Sequence, residues 1–369
     1  MSASVQKAMQ ILHRFHESGH EAYLVGGFVR DFLLGLETED IDVTTSALPE
    51  ETIALFDKTA PTGIRFGTVT VFLEDEAFEV TTFRSEGSYK NHRHPDSVTF
   101  SKSLPEDLSR RDFTINAFAM DDHQNLFDLF GGQSDLHARL IRAIGEPEKR
   151  FEEDALRILR AFRFVAKLGF DIEEKTMEAI QQKHPLLSDI ANERVLEEMR
   201  KIINYPHRGK AFSLMAQSGV LDTLTDLKAG IIRLEGLELP LTETEFYAFC
   251  FSYVEDNPTE LWRFSNKTKQ RIHKLIELLE VLEHDEISIY HIYSLGKEIC
   301  LSANKLLVLK YGKADRSDEI VALYDTMPIH KTCDLKYKGG EIMNDFPIKN
   351  AEIIGDIIDD VIYQVITNQ

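Results

Sequence analysis

Two aspartates, Asp40 and Asp42, flank Ile41 in the stretch Glu39-Asp40-Ile41-Asp42-Val43-Thr44. On a β-strand, residues i and i+2 share a face, so these carboxylates would stand close enough to share metal ions. Like charges at that separation repel, and the pair is favourable mainly with a cation beside it. Oxygen-only ligands suit Mg²⁺, which binds through one or two carboxylates plus substrate phosphates. A bare Asp-x-Asp is more often a solvated acidic turn, and the neighbouring Glu37 and Glu39 fit that reading as well.

The residues upstream shift the balance. Leu24-Val25-Gly26-Gly27-Phe28-Val29-Arg30-Asp31 reads as a strand, a glycine pair and the start of a helix. Gly26 and Gly27 let the backbone approach a phosphate, and a helix N-terminus offers unpaired N–H groups. Arg30, in the first helical turn, can reach phosphate oxygens. A phosphate cradle followed shortly by a carboxylate pair points to phosphoryl transfer.

These residues need a mixed scaffold to hold them. Residues 3–18 carry helical apolar spacing (Val5, Ala8, Met9, Leu12, Phe15) that stops at Gly19. Ala22–Val25 and Ile41–Thr44 read as strands, and Phe28–Leu34 and Pro49–Phe56 as helices. Thr68–Leu73 and Phe78–Phe83 are β-rich runs around the acidic turn Glu74-Asp75-Glu76. After Gly145-Glu146-Pro147 the patterns become helical, as in Ala155–Leu168, Val195–Ile203, Lys210–Ser218, Lys267–Leu282 and Ile353–Ile366. The expected fold class is therefore α+β: an α/β N-terminal part, then all-helical segments.

Composition bounds the function. The 369 residues are 43% hydrophobic and 28% charged, which suits several globular domains. Three scattered cysteines argue against a disulfide framework and for a reducing cytoplasm. The N-terminus lacks a signal peptide's apolar core, and no apolar run is long enough to span a membrane. No stretch marks a stable protein partner. The net charge of −20 works against nucleic-acid binding, which needs a basic surface, so any such binding must be focused in one site. Residues 151–210 are roughly charge-balanced, which fits such a site.

Three motifs in order carry a family resemblance: GGFVRDFLLG…EDIDVTT, RRDFTINAFAM over 110–120, and EDALRILRAFRFVAKLGF over 153–170. Together they resemble the tRNA CCA-adding enzyme and poly(A) polymerase family, of the bacterial class II kind, within the polymerase-β-like nucleotidyltransferases. The resemblance implies a nucleotidyltransferase head (1–145), a helical neck that reads the base (146–205), a helical body (206–325) and a tRNA-binding tail (326–369) shorter than is usual. It implies two-metal phosphoryl transfer with Mg²⁺ as cofactor, tRNA as partner, CTP and ATP as substrates, and pyrophosphate release.

The resemblance also implies residue roles. Asp40 and Asp42 would hold the metal, and Glu79 would be a third catalytic carboxylate or else an ordinary exposed strand residue. Arg111 would contact the incoming nucleotide, unless Arg110 or Arg111 simply pairs with Asp107 or Asp112. Asn116 would contact the sugar, with Gly27 and Arg30 on the phosphates. Asp154, Arg157, Arg160 and Arg163 belong to the base-recognition motif. Ala191-Asn192-Glu193-Arg194-Val195-Leu196-Glu197-Glu198 resembles the motif that supports the base-reading helix, with Arg194 and Glu198 structural.

Asp154 and Arg157, at i and i+3, would share a helix face. Cytosine and adenine both show an amino donor beside a ring-nitrogen acceptor. Asp can accept from the amino group and Arg can donate to the ring nitrogen. Uracil and guanine reverse both partners, so the pair would select C and A together. The plainer alternative is an intrahelical ion pair, and Glu153 to Arg157 also suits i,i+4 pairing. On a straight helix Arg163 would lie opposite Asp154, which assigns Arg160 and Arg163 to phosphate, sugar or support. The polar segment Arg84–Pro95, with Arg93, reads as a loop that family members adding only CC largely lack. Lys331, Lys336 and Lys338 form a small basic patch. Rival readings are a poly(A) polymerase, an A-adding or CC-adding enzyme, or a non-catalytic RNA- or nucleotide-binding regulator.

Overall fold

A computed structural model describes residues 3–38, 40–85, 99–335 and 351–367. The chain forms two compact units, residues 1–239 and 240–369. The expected divisions at 145/146 and 205/206 both fall inside the first.

The first unit begins with α1 (Ala3–Glu17), which buries Val5, Ala8, Ile11, Leu12 and Phe15 along one stripe. Strand β1 (Ala22–Val25), helix α2 (Gly27–Leu33), strand β2 (Asp42–Thr45) and helix α3 (Pro49–Leu55) follow. Strands β3 (Thr59–Gly63), β4 (Thr68–Leu73) and β5 (Glu76–Thr82) then run to a short ribbon, β6 (Arg84–Ser85) with β7 (Thr99–Phe100). Helix α4 (Leu104–Ser109), strands β8 (Phe118–Met120) and β9 (Leu126–Asp128), and helix α5 (Gly132–Ala138) complete the α/β part. The main sheet has seven strands in the order β3-β4-β5-β2-β1-β8-β9. Its pairs are antiparallel except β2 with β5, which are parallel and place Asp42 opposite Glu79.

Alternation along β5 sets the face on which Glu79 stands. Phe78, Val80 and Thr82 are buried, so Glu79 faces the other way and is exposed. A core of Val25, Phe83, Leu104, Leu108, Ala117, Ala119 and Ile144 ties β1 and β8 to α4. That packing brings the 110–116 segment beside the end of β1.

The change of character near residue 145 is present. Helices α6 (Pro147–Glu153), α7 (Leu156–Leu168), α8 (Glu174–Lys183), α9 (Asn192–Asn204), α10 (Arg208–Ser218) and α11 (Thr225–Arg233) follow. Among the described residues beyond 145, one two-residue strand, Asp171–Ile172, interrupts them and pairs with Leu140–Ile141.

The second unit is helical among its described residues, from Glu243–Phe251 to Ala351–Thr367. Its core includes Tyr247 packed edge-on to Phe264, with ring centroids 4.8 Å apart. No helix among the described residues is long and apolar enough to cross a membrane.

One expectation needs correction. Asp154 and Arg157 do not lie on one helix. Asp154 ends α6 in an extended conformation (φ −145°, ψ 102°), and α7 starts at Leu156. The cause is local: Asp154 Oδ1 accepts the Leu156 N–H at 3.1 Å. This side-chain-to-backbone bond replaces the helical ladder, as short acidic side chains readily do. With the helix broken between them, helical spacing does not set where Arg163 stands relative to Asp154.

Candidate active site

A cleft of about 810 Å³ opens between the central strands β1, β2 and β5 of the α/β part and helices α7 and α9. All eleven residues singled out above line it: Asp40, Asp42 and Glu79 at one end, Asp154, Arg157, Arg160 and Arg163 at the other, and Gly27, Arg30, Arg111 and Asn116 between. Its wall holds ten Arg or Lys and eight Asp or Glu side chains. It is thus locally cationic in a chain of net charge −20, the focused site that phosphate binding demands.

At the carboxylate end, β2 starts at Asp42 and Asp40 lies just before it. The two therefore meet at a strand entrance rather than along a strand. Asp42 is pushed up to about 6 from 3.8, first by burial and then by the charge of Asp40. Glu79 raises it further and Arg111 opposes. Among the described residues no group of three or more His, Cys, Asp or Glu side chains forms a complete metal cage. A two-carboxylate Mg²⁺ site needs none, because water and substrate phosphates fill the remaining positions. The mutual repulsion recorded by Asp42 is what a cation would relieve, so the residues fit such an ion.

Gly26 has φ +66°, and a Cβ there would stand 2.9 Å from Arg111 Nη1 and 3.9 Å from Asp42 Oδ2. The conformational need for glycine therefore falls on Gly26, with Gly27 opening α2. Arg111 Nη2 donates to Asp107 Oδ2 at 3.2 Å, while its buried Nε has no hydrogen-bond partner. Asp107 is fully buried on α4 and takes Arg110 as well, at 2.9 Å. Burial raises the pKa of Asp107, but the charges of Arg111 and Arg110 outweigh it and hold the carboxyl low. Asp107 was not among the residues singled out as functional; its signal was the i,i+4 spacing to Arg111.

Arg30 is turned inward and only 2% exposed. Its Nε donates to Asp31 Oδ1 at 2.8 Å and its Nη1 to Asn116 Oδ1 at 2.5 Å. Asn116 Nδ2 donates in turn to Asp112 Oδ1 at 2.9 Å. The sequence suggested a cation reaching phosphate; here its donors face protein acceptors.

At the other end Asp154, Arg157, Arg160 and Arg163 each have a protein partner. Asp154 Oδ2 accepts from Arg194 Nη2 at 2.9 Å. Arg157 Nη1 donates to Glu153 Oε2 at 2.5 Å and to the Arg150 carbonyl at 3.1 Å, and its Nη2 to the Arg110 carbonyl at 3.0 Å. The Glu153–Arg157 pair therefore exists, but across the break between α6 and α7, and the intrahelical Asp154–Arg157 pair does not form because Asp154 takes Arg194. Arg160 holds Asp112 through Nε at 2.7 Å and through Nη2. Burial would raise the Asp112 pKa, but Arg160 and the Asn116 hydrogen bond keep it far below the usual carboxylate range. Arg163 donates to Glu198 Oε1 at 3.1 Å, and burial with the nearby Arg160 charge lowers its pKa. Of the arginine pairings weighed from sequence, both Arg110 and Arg111 go to Asp107, and Asp112 goes to Arg160.

Residues 86–95 of the polar loop, with Arg93, and Lys336 and Lys338 of the basic patch lie outside the described residues.

Comparison with known proteins settles the lineage. The CCA-adding enzyme of Lactobacillus helveticus is 39% identical, with 90% of this chain and 86% of that protein covered. That of Streptococcus pneumoniae is 36% identical, covering 100% and 95%. The chain belongs to the CCA-adding enzyme family. The crystal structure of the Bacillus stearothermophilus CCA-adding enzyme in complex with CTP is 33% identical, with TM-score 0.87 over 100% of this chain and 94% of that one. Three family models match successive parts: the poly A polymerase head domain over 22–142, a probable RNA- and SrmB-binding site of polymerase A over 169–228, and tRNA nucleotidyltransferase domain 2 over 244–369. For a CCA-adding enzyme, the α/β head with helical segments behind it is the shared architecture, and the cleft lies where the head meets the first of those segments.

Proposed function

We propose that the chain adds C, C and A, template-independently, to the 3′ end of tRNA from CTP and ATP, releasing pyrophosphate. One observation carries this reading: the half-buried Asp42, repelled by Asp40 and Glu79, opens into the same cleft as Asp154 and Arg157. The first suits metal-assisted phosphoryl transfer and the second suits reading a base edge. The relatives' shared name and the CTP held by a 33%-identical relative support it.

Asp40 and Asp42 are the proposed Mg²⁺ ligands, with Glu79 beside them. When bound, Mg²⁺ lowers the pKa of the RNA 3′-hydroxyl and neutralises charge on the leaving pyrophosphate. Gly26 and Gly27 keep the cradle open so that the triphosphate can approach the backbone. Arg111, aimed across Gly26 and steadied by Asp107, meets its oxygens. Asn116 is the proposed sugar contact. Arg30 lies below it, and Arg160 and Arg163 support the base-reading end.

Asp154 accepts from the amino group of C or A, and Arg157 donates to the ring nitrogen. Neither must abandon its protein partners. Asp154 uses two of about four acceptor positions, and Arg157 uses about three of five donors. We place the protein in the cytoplasm, consistent with free Cys250, Cys300 and Cys333. The head, neck, body and tail divisions remain part of the same proposal.

The test is the product. Purified protein with tRNA lacking its CCA end should use CTP and then ATP, yielding a complete CCA end. Use of ATP alone, on tRNA already ending in CC, would reassign the activity to A addition.

A further inference from the structure

Helix α7 is tied to the α/β head at its far end by Lys167 and Asp31, two residues to which neither the motifs nor the proposed chemistry gives a role. Lys167 Nζ, in the last turn of α7, lies 2.8 Å from Asp31 Oδ2. The same carboxylate, through Oδ1, receives Arg30 Nε at 2.8 Å and Arg30 Nη2 at 2.7 Å. Asp31 is 3% exposed, so it is a buried bridge between two cations. From Arg30 the polar path continues to Asn116, to Asp112 and back to α7 at Arg160. It leaves the helix at Lys167 and returns two turns earlier, about 10 Å along the axis.

A rigid helix held at one point can pivot; held at two, its tilt and rotation are set. Arg157 on the Arg110 carbonyl and Arg160 on Asp112 fix the N-terminal half of α7. Lys167 fixes the C-terminal end. The ring of Phe164 fills the space inside this loop, with the guanidinium carbons of Arg30, Arg160 and Arg163 at 5.2, 6.0 and 4.7 Å from its centroid. Three cations around one ring repel, and carboxylates from three elements hold them apart: Asp31, Asp112 and Glu198. Removing the Lys167 anchor would let the helix rock on that ring, and Arg157 would move with it. A misplacement of about 1 Å can cost on the order of 100-fold in an oriented site.

We propose that Lys167 and Asp31 are positioning residues that lock the base-reading helix to the phosphate cradle and thereby set the preference for C and A. The proposal rests on the activity reading above. The test is equilibrium binding of CTP, ATP and UTP to the full chain and to Lys167→Gln, Lys167→Arg and Asp31→Asn, with thermal midpoints on the same preparations. Lys167→Gln should weaken CTP and ATP binding roughly 10-fold and narrow their advantage over UTP. Lys167→Arg should restore both, and Asp31→Asn should show the same loss of preference with a larger fall in midpoint. If Lys167→Gln lowers the midpoint but keeps the parent's CTP-over-UTP preference, the pair is only structural and the proposal fails. It fails equally if binding and preference stay within about twofold of the parent. A full chain that binds CTP and ATP without extending tRNA overturns the activity reading and leaves the linkage standing; one that binds neither overturns both.

Discussion

The two ends of the cleft solve opposite electrostatic problems. At the sheet end, Asp42 sits half-buried against Asp40 and Glu79, with Arg111 as the opposing charge. At the helical end, Asp154, Arg157, Arg160 and Arg163 each have a protein partner at hydrogen-bond distance. At the first end the repulsion on Asp42 is of the kind a bound cation would relieve, as the proposed metal role requires. The second pairs each of its four charges within the protein, leaving, among the described residues, only Arg194 Nη1 and Glu198 Oε2 buried without a partner there. Under the proposed roles, a mobile ion suits the end where charge changes during reaction and a rigid set suits the end that distinguishes bases.

The largest expected effect comes from removing the first end. Asp42→Asn should lower nucleotide addition at least about 100-fold without lowering the thermal midpoint, since it removes a buried repulsion. The sign of its pH dependence follows. A folded pKa of about 6 against 3.8 means the native state holds the extra proton. Asp42 therefore costs stability increasingly as pH rises from about 4 to 6, and Asp42→Asn should flatten that slope in midpoint-versus-pH curves.

Next in size is the base-reading end. Asp154→Ala and Arg157→Ala should each reduce discrimination against UTP and GTP by about 10- to 100-fold, the worth of one buried polar mismatch. Competition assays with paired nucleotides read this directly. Pyrophosphate release should continue, because the carboxylate end is untouched.

Asp112→Asn probes the paired end by stability. Breaking a buried pair costs about 3–5 kcal/mol, so the midpoint should fall clearly. Asp112 has a depressed folded pKa, so its contribution is present above about pH 4 and lost on acidification. The variant should lose part of the parent's acid sensitivity.

The smallest effect is expected at Glu79. Glu79→Gln removes a charge that raises Asp42, and should shift the acid limb of the rate profile downward with a loss of about 10-fold or less.

Much of this was legible in the residues. Alternation in Phe78–Phe83 announced β5, and glycine followed by a helical run announced α2. The ordered motifs brought eleven separated residues to one cleft, as the structure places them. What was not legible depended on partners far away in sequence. The resemblance implies a structural Arg194, but nothing near Asp154 signals that its own side chain would stop α6 or that Asp154 is the group Arg194 holds. Arg30 looks like an exposed first-turn cation until Asn116 and Phe164 close over it. Lys167 looks like an ordinary last-turn lysine, and its partner Asp31 lies 136 residues away. Such pairs are set by how helices cross the sheet, which periodicity along one helix does not encode.

The most direct measurement is Mg²⁺-dependent pyrophosphate release from CTP and from UTP, on tRNA lacking its CCA end, for the parent, Asp42→Asn and Asp154→Ala. The two-ended account predicts release from CTP only for the parent, none for Asp42→Asn, and release from both nucleotides for Asp154→Ala. Activity in Asp42→Asn above a few per cent of the parent, or undiminished refusal of UTP by Asp154→Ala, would contradict it.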